Sequence, residues 1–120
     1  MFSLDDSLRY WLYNRPVNMR KSFNGLSTIV TGSMGCDLRD GDVFIFVNAS
    51  RNRMKILRRE DGGLVIYALS LDMGRMKLPA FSNDGDVLSS SMCYDDIVSM
   101  VRSALDSPYV RRLKMLSKSV

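Results

Sequence analysis

At 120 residues the chain suits a single domain, and 46% hydrophobic with 25% charged residues is the composition of an ordinary globular protein. The absence of histidine removes the commonest general base and the commonest metal ligand, which excludes catalytic triads of the usual kind. Seventeen Lys and Arg against thirteen Asp and Glu give a formal charge of +4, which favours polyanionic or acidic partners without naming one.

After a loose start, Arg9 to Tyr13 has the aromatic density of a strand, and Pro16 ends it. Asn18 then reads as the N-cap of a helix in which Met19, Phe23, Leu26, Val30 and Met34 recur every three or four residues as one apolar stripe. Its polar side carries Arg20, Lys21, Asn24, Ser27 and Thr31, and Gly32 and Gly35 stop it before a short acidic loop with Asp37, Asp40 and Asp42. Val43 to Val47 is unbroken apolar sequence, too short for a helix and rich in β-branched and aromatic residues, so it predicts a strand buried on both faces.

Arg53 to Glu60 and Leu64 to Leu71 predict two further strands, joined through Asp61-Gly62, where glycine supplies the positive φ of a tight hairpin. With those two as turn residues, Glu60 faces Gly63, Arg58 faces Val65, Ile56 faces Tyr67 and Met54 faces Leu69. One face of the hairpin is then apolar. The other sets Arg53, Lys55, Leu57 and Arg59 beside Leu64, Ile66, Ala68 and Ser70, with Arg51 extending the basic row.

Phe81 to Ser91 is polar and reads as a loop or linker. Asp95 and Asp96 sit where a helix N-terminus favours carboxylates, and Ile97, Val101, Ala104 and Leu105 form the stripe of that helix. Ser107-Pro108 restarts the chain as a last helix, with Val110 and Leu113 inward and Arg111, Arg112, Lys114 and Lys118 outward. Cys36 and Cys93 lack a close partner or metal-type spacing. With nine methionines and no secretory signal they read as reduced thiols in a cytoplasm. No apolar run approaches the roughly 20 residues that span a bilayer, so a soluble, cytoplasmic protein is expected.

Three stretches, PVNMRKSFNGL (Pro16 to Leu26), GDVFIFVNASRNRMKIL (Gly41 to Leu57) and DGGLVIY (Asp61 to Tyr67), are similar to the TnpB-type accessory protein of the insertion sequence 66 family of bacterial mobile elements. The resemblance runs from about Arg9 to Pro79. It implies a protein that assists transposition beside a separate catalytic transposase. The chain departs from the family pattern at Asn18, where the family usually has Asp, and at Arg58 and Arg59, where it usually has an aromatic pair.

No catalytic residue, metal ligand or cofactor is expected. Asp37, Asp40 and Asp42 are close enough to suggest a cation site, although turn chemistry alone selects Asp often. The basic features remain: Arg51, Arg53, Lys55, Arg58 and Arg59 come without an intervening acid, a row that neutralises phosphates in a backbone-tracking protein or is simply a solvated face. Arg20 and Lys21, placed in the first turn of a helix, oppose its dipole and suggest an anion site, with pairing to Asp37 or Asp40 as the alternative. The candidate nucleic-acid-binding residues are therefore Arg20, Lys21, Arg51, Arg53, Lys55 and Arg59.

The expected fold is α+β, an antiparallel β-meander packed by one amphipathic helix with a C-terminal helical appendage. It divides into a strand-helix-meander core over residues 1–80, a linker over 81–92 and a helical segment over 93–120, one domain overall. The first helix is expected on the apolar face of the hairpin, and the C-terminal helices or another subunit of a homo-oligomer on the other. The expected function is non-catalytic, through DNA, the element's transposase or both. A protein-interaction module that its positive charge steers to an acidic partner is the alternative.

Overall fold

A strand of five consecutive large apolar residues has no side to offer water, and Val43–Val47 accordingly forms part of the middle strand of the sheet. The computed structural model describes residues 4–78 and 88–105. In chain order these form β1 (Arg9–Tyr13), α1 (Phe23–Thr28), which runs into a π-turn over Ile29–Ser33, β2 (Asp42–Val47), β3 (Arg53–Glu60), β4 (Gly63–Ser70), β5 (Ser89–Met92) and α2 (Tyr94–Leu105). The strands make one sheet of order β4-β3-β2-β1-β5, an α+β arrangement with two helices. Every residue of β2 is buried.

The sheet is mixed. β2, β3 and β4 pair antiparallel in sequence order, but β1 lies parallel to β2, with Arg9 opposite Asp42 and Leu12 opposite Ile45. Parallel neighbours need a crossover, and α1 supplies it. In the hairpin, Met54 pairs with Leu69, Ile56 with Tyr67, Arg58 with Val65 and Glu60 with Gly63, the register that the Asp-Gly turn predicts. Asp61 (φ 49°) and Gly62 (φ 81°) are both left-handed, as a two-residue turn matched to strand twist requires.

Two core layers flank the sheet. One contains Leu26, Val30 and Met34 from the α1 segment with Phe44, Phe46 and Leu57, and Leu64 and Ile66 pack against it. The other contains Ile97 and Met100 of α2, Met76 and Met92 with Val43, Ile45, Met54 and Ile56, flanked by Tyr67 and Leu69. This corrects the expected placement of the first helix: α1 lies on the Leu57 face, which carries the basic row, and the Ile56 face is closed by α2 and the 71–78 segment. Leu57, Leu64 and Ile66 give α1 enough apolar surface to pack on.

The first helix also begins later than its stripe predicts. Asn18 makes a turn: its Oδ1 accepts the Arg20 N–H at 2.9 Å and its carbonyl accepts the Lys21 N–H at 3.1 Å. Just before it, Val17 N–H donates to Val47 O, so this segment is still fastened to the end of β2. Ser22 is the helix N-cap. Arg20 and Lys21 thus precede the helix and do not lie in its first turn, and Phe23, expected in the buried stripe, is 43% exposed. From Leu26 the residues facing the sheet recur strictly every four, which suits a turn wider than 3.6 residues. The Met34 N–H bonds five residues back to Ile29 O. Thr28 and Thr31 each donate a hydroxyl to the carbonyl four residues earlier, a competition that bends helices.

Composition hid β5, whose Ser89-Ser90-Ser91 lies in the stretch read as a linker. It pairs antiparallel with β1, Leu12 opposite Ser90, and is fixed by the Asn14 carboxamide to the Ser90 hydroxyl at 2.8 Å. α2 starts as its acids predict, with Asp96 Oδ2 accepting the Cys93 N–H at 2.9 Å. The last helix predicted after Ser107 lies outside the described residues.

Ile56→Ala should lower the unfolding free energy by about 2–5 kcal/mol in a urea titration, as a cavity in a closed layer. Phe23→Ala should change it by less than about 0.5 kcal/mol, as at an exposed site. Tyr10 is fully buried, and burial pushes its phenol up to about 12. Its contribution to stability is complete below about pH 10, the unfolded value, and is lost as the pH rises through about 12. Ultraviolet titration should show one late-ionising tyrosine that Tyr10→Phe removes.

Candidate nucleic-acid interface

The basic residues singled out in the sequence are held in different ways. Lys55 is half-buried beside α1, and its Nζ donates to the Lys21 carbonyl at 2.7 Å, joining β3 to the segment that leads into the helix. Arg59 Nε donates to the Leu38 carbonyl at 3.0 Å. Around it the cleft at the hairpin end is lined by Asp40, Glu60 and Asp61 as well as Arg58, so positive charge there is met by carboxylates. Arg58 projects on the opposite face and lies 3.4 Å from Glu60.

At the other end of β3 the balance differs. A groove runs between the 16–20 turn and the β2–β3 loop, lined by Asn18, Arg20, Asn48, Ser50 and Arg53 together with Pro16, Val17, Met19 and Ala49. Two arginines are among its lining residues, and no Asp or Glu is. Arg20 and Arg53, 33 residues apart in the chain, meet here because Val17 is bonded to the end of β2 and Arg53 opens β3. Lys21, exposed, follows Arg20, and its stem lies against Gly25, where a Cβ would stand 3.2 Å from Lys21 Cβ and Cγ.

One wall of the groove is held by a residue whose role the sequence reading missed. Asn48 Oδ1 accepts the N–H groups of both Asn52 and Arg53 at 3.0 Å, and its Nδ2 donates to Asn52 Oδ1 at 2.6 Å. Arg51 is thereby held left-handed at φ 55°, its N–H on Asn48 O and its carbonyl taking the Met76 N–H at 2.7 Å. Asparagines at both ends of a short inter-strand loop were the available signal, since that side chain builds turns through its own backbone neighbours.

The acidic loop is structural. Asp42, buried, accepts Arg9 Nε at 2.6 Å, and Arg9 also donates to the Asp40 carbonyl, clamping the start of β1 to the start of β2. Asp37 faces Arg39 at 3.7 Å on the surface. Among the described residues no three His, Cys, Asp or Glu side chains group as a metal site. Both cysteines are free, and burial, aided by Asp42 and Asp37, pushes the Cys36 thiol up, away from the thiolate a nucleophile needs.

Compared with known proteins, residues 8–98 match the family model described as IS66 Orf2 like protein. The chain belongs to the IS66 Orf2-like family. The match covers every strand, α1 and the first turn of α2, so the groove lies within the part shared with the family. A curated relative, the uncharacterized protein y4jC of Sinorhizobium fredii, is 26% identical over 72 residues, 60% of this chain and 62% of that protein. The chain thus spans about three fifths of the relative's length. No solved structure matches. No helix among the described residues is long and apolar enough to cross a membrane.

Because Asn48 fixes the β2–β3 loop, Asn48→Ala leaves two backbone N–H groups without their acceptor. The cost should be about 1–3 kcal/mol in a denaturant titration.

Proposed function

We propose that the protein is a non-catalytic accessory factor of insertion-sequence transposition that holds DNA by its phosphates at the Arg20–Arg53 groove, working in the cytoplasm beside the element's own transposase. The observation that carries this reading is that two arginines and no carboxylate residue line one groove, against a wall that Asn48 makes rigid. Arginine suits phosphate geometry because its planar fork donates two parallel hydrogen bonds. Arg51 and Lys21, both exposed, flank the pair and widen the positive field. Lys55 and Arg59 act differently in this reading: their heads are bonded to main-chain carbonyls, so they hold the α1 segment and the acidic loop against the sheet.

Contact through phosphates carries no sequence information by itself, so binding should be sequence-tolerant and steeply salt-dependent. Fluorescence anisotropy on duplex DNA at several salt concentrations tests this. Replacing Arg20 and Arg53 together by Ala should reduce the slope of log affinity against log salt by about two, given about 0.9 per lost phosphate contact. Lys55→Ala with Arg59→Ala should leave the slope unchanged while lowering thermal stability. The opposite result would return the contact to the strand row, and an unchanged slope in both variants would move it away from the groove. Co-purification of the transposase with and without nuclease treatment separates direct contact with that enzyme from bridging by DNA.

A further inference from the structure

The two edges of the sheet are built differently. β5 at one edge is four residues long and serine-rich, a short polar edge of the kind that discourages further pairing. β4 at the other is eight residues, Gly63-Leu64-Val65-Ile66-Tyr67-Ala68-Leu69-Ser70, with no charge, no proline and an unbroken register against β3. On a chain of formal charge +4, this strand carries no charge, proline or bulge to block strand addition, and no helix or strand among the described residues covers its outer edge.

Its hydrogen-bonding groups can be assigned. A two-residue turn at Asp61-Gly62 makes Glu60–Gly63 a bonded pair, so the odd-numbered residues of β4 direct their N–H and C=O groups to β3. The Leu71 N–H on Asn52 O at 2.8 Å continues that series. Leu64, Ile66, Ala68 and Ser70 therefore direct theirs outward, where no strand among the described residues pairs with them.

We infer that this edge pairs with the same edge of a second copy, antiparallel about a two-fold axis through Ile66 normal to the sheet. In that register Ile66 meets Ile66, Leu64 meets Ala68 and Val65 meets Tyr67, so the outward groups of Leu64, Ile66 and Ala68 find their complements and like faces coincide. No charge opposes a like charge. Both core layers run to this edge half-covered, Leu64 and Ile66 on the α1 side and Tyr67 and Leu69 on the α2 side, and the second copy continues both. An axis normal to the sheet also keeps both α1 segments, and both Arg20–Arg53 grooves, on one side.

The spacing that follows rests on the DNA reading above. Arg53 pairs with Ser70, four residues from the axis, and β3 is separated from its counterpart by three inter-strand steps. At about 3.4 Å per residue and about 4.8 Å per strand, the two Arg53 backbones stand about 30 Å apart. That is close to one turn of B-DNA, about 34 Å, the separation at which two-fold proteins engage successive grooves from one side.

Sedimentation velocity and amide hydrogen exchange without DNA test the pairing. A dimer is expected, with protection of the Leu64, Ile66 and Ala68 amides growing with protein concentration from the low micromolar to the submillimolar range. Ala68→Pro removes an outward N–H and leaves the bonds to β3 in place, so it should give a monomer with an unchanged circular dichroism spectrum. Three results would overturn the inference: a monomer throughout, a dimer that persists in folded Ala68→Pro, or edge amides protected where sedimentation shows a monomer, which would mean that the chain covers its own edge. The exchange measurement uses the unaltered protein and decides the matter even where the proline variant does not fold. None of these measurements involves DNA, so failure of the pairing and failure of the groove's salt dependence are separate outcomes.

Discussion

The architecture depends on a strand that water cannot touch from either side. Val43, Phe44, Ile45, Phe46 and Val47 alternate between two faces, and each face must be closed by something else in the chain. That requirement explains why α1 and α2 lie on opposite sides although one precedes and the other follows the β2–β4 hairpins. It also explains β1: a strand whose both faces are covered can accept a parallel neighbour, and the crossover that joins β1 to β2 is the first covering layer. The Arg9–Asp42 pair then fastens the two strand starts together at the edge of that layer.

Much of the sheet could be read from local chemistry. The Asp-Gly turn and the two-residue alternation were enough to set the β3–β4 register pair by pair, because a turn fixes register and pleating fixes faces. What periodicity could not say was which face each helix would take, since both faces of β3 and β4 hold aliphatic residues and a basic head on a long stem costs a layer little. The start of α1 was misread for a related reason: Asn18 has the chemistry of a cap, and only the tertiary bond from Val17 to Val47 turns that chemistry into a turn. β5 was illegible because serines carry no apolar pattern. Its place comes from β1 needing a second neighbour.

The candidate site was legible as residue types and illegible as an arrangement. Alternation already separates Arg58 from Arg53, Lys55 and Arg59 in the sequence, but nothing there shows that main-chain carbonyls take up Lys55 and Arg59 or that Asp40, Glu60 and Asp61 gather at one end. Charge in a sequence counts cations, whereas an anion meets only those whose partners have not already been found within the fold. Among the described residues Arg20 and Arg53 share a groove without a carboxylate in its lining, and their meeting depends on a contact between distant segments.

The two layers that enclose β2 differ in material. Beneath α1 the sheet presents Phe44 and Phe46 with Trp11 and Tyr13 at their flank, rigid rings whose shapes must be matched. Beneath α2 it meets Met54, Met76, Met92 and Met100, unbranched side chains that re-pack around a change of shape. Over evolutionary time the two sides should therefore age differently. Volume-conserving exchanges will accumulate among the methionines, and the aromatic side, which also anchors the segments that bring Arg20 to Arg53, will keep its shape.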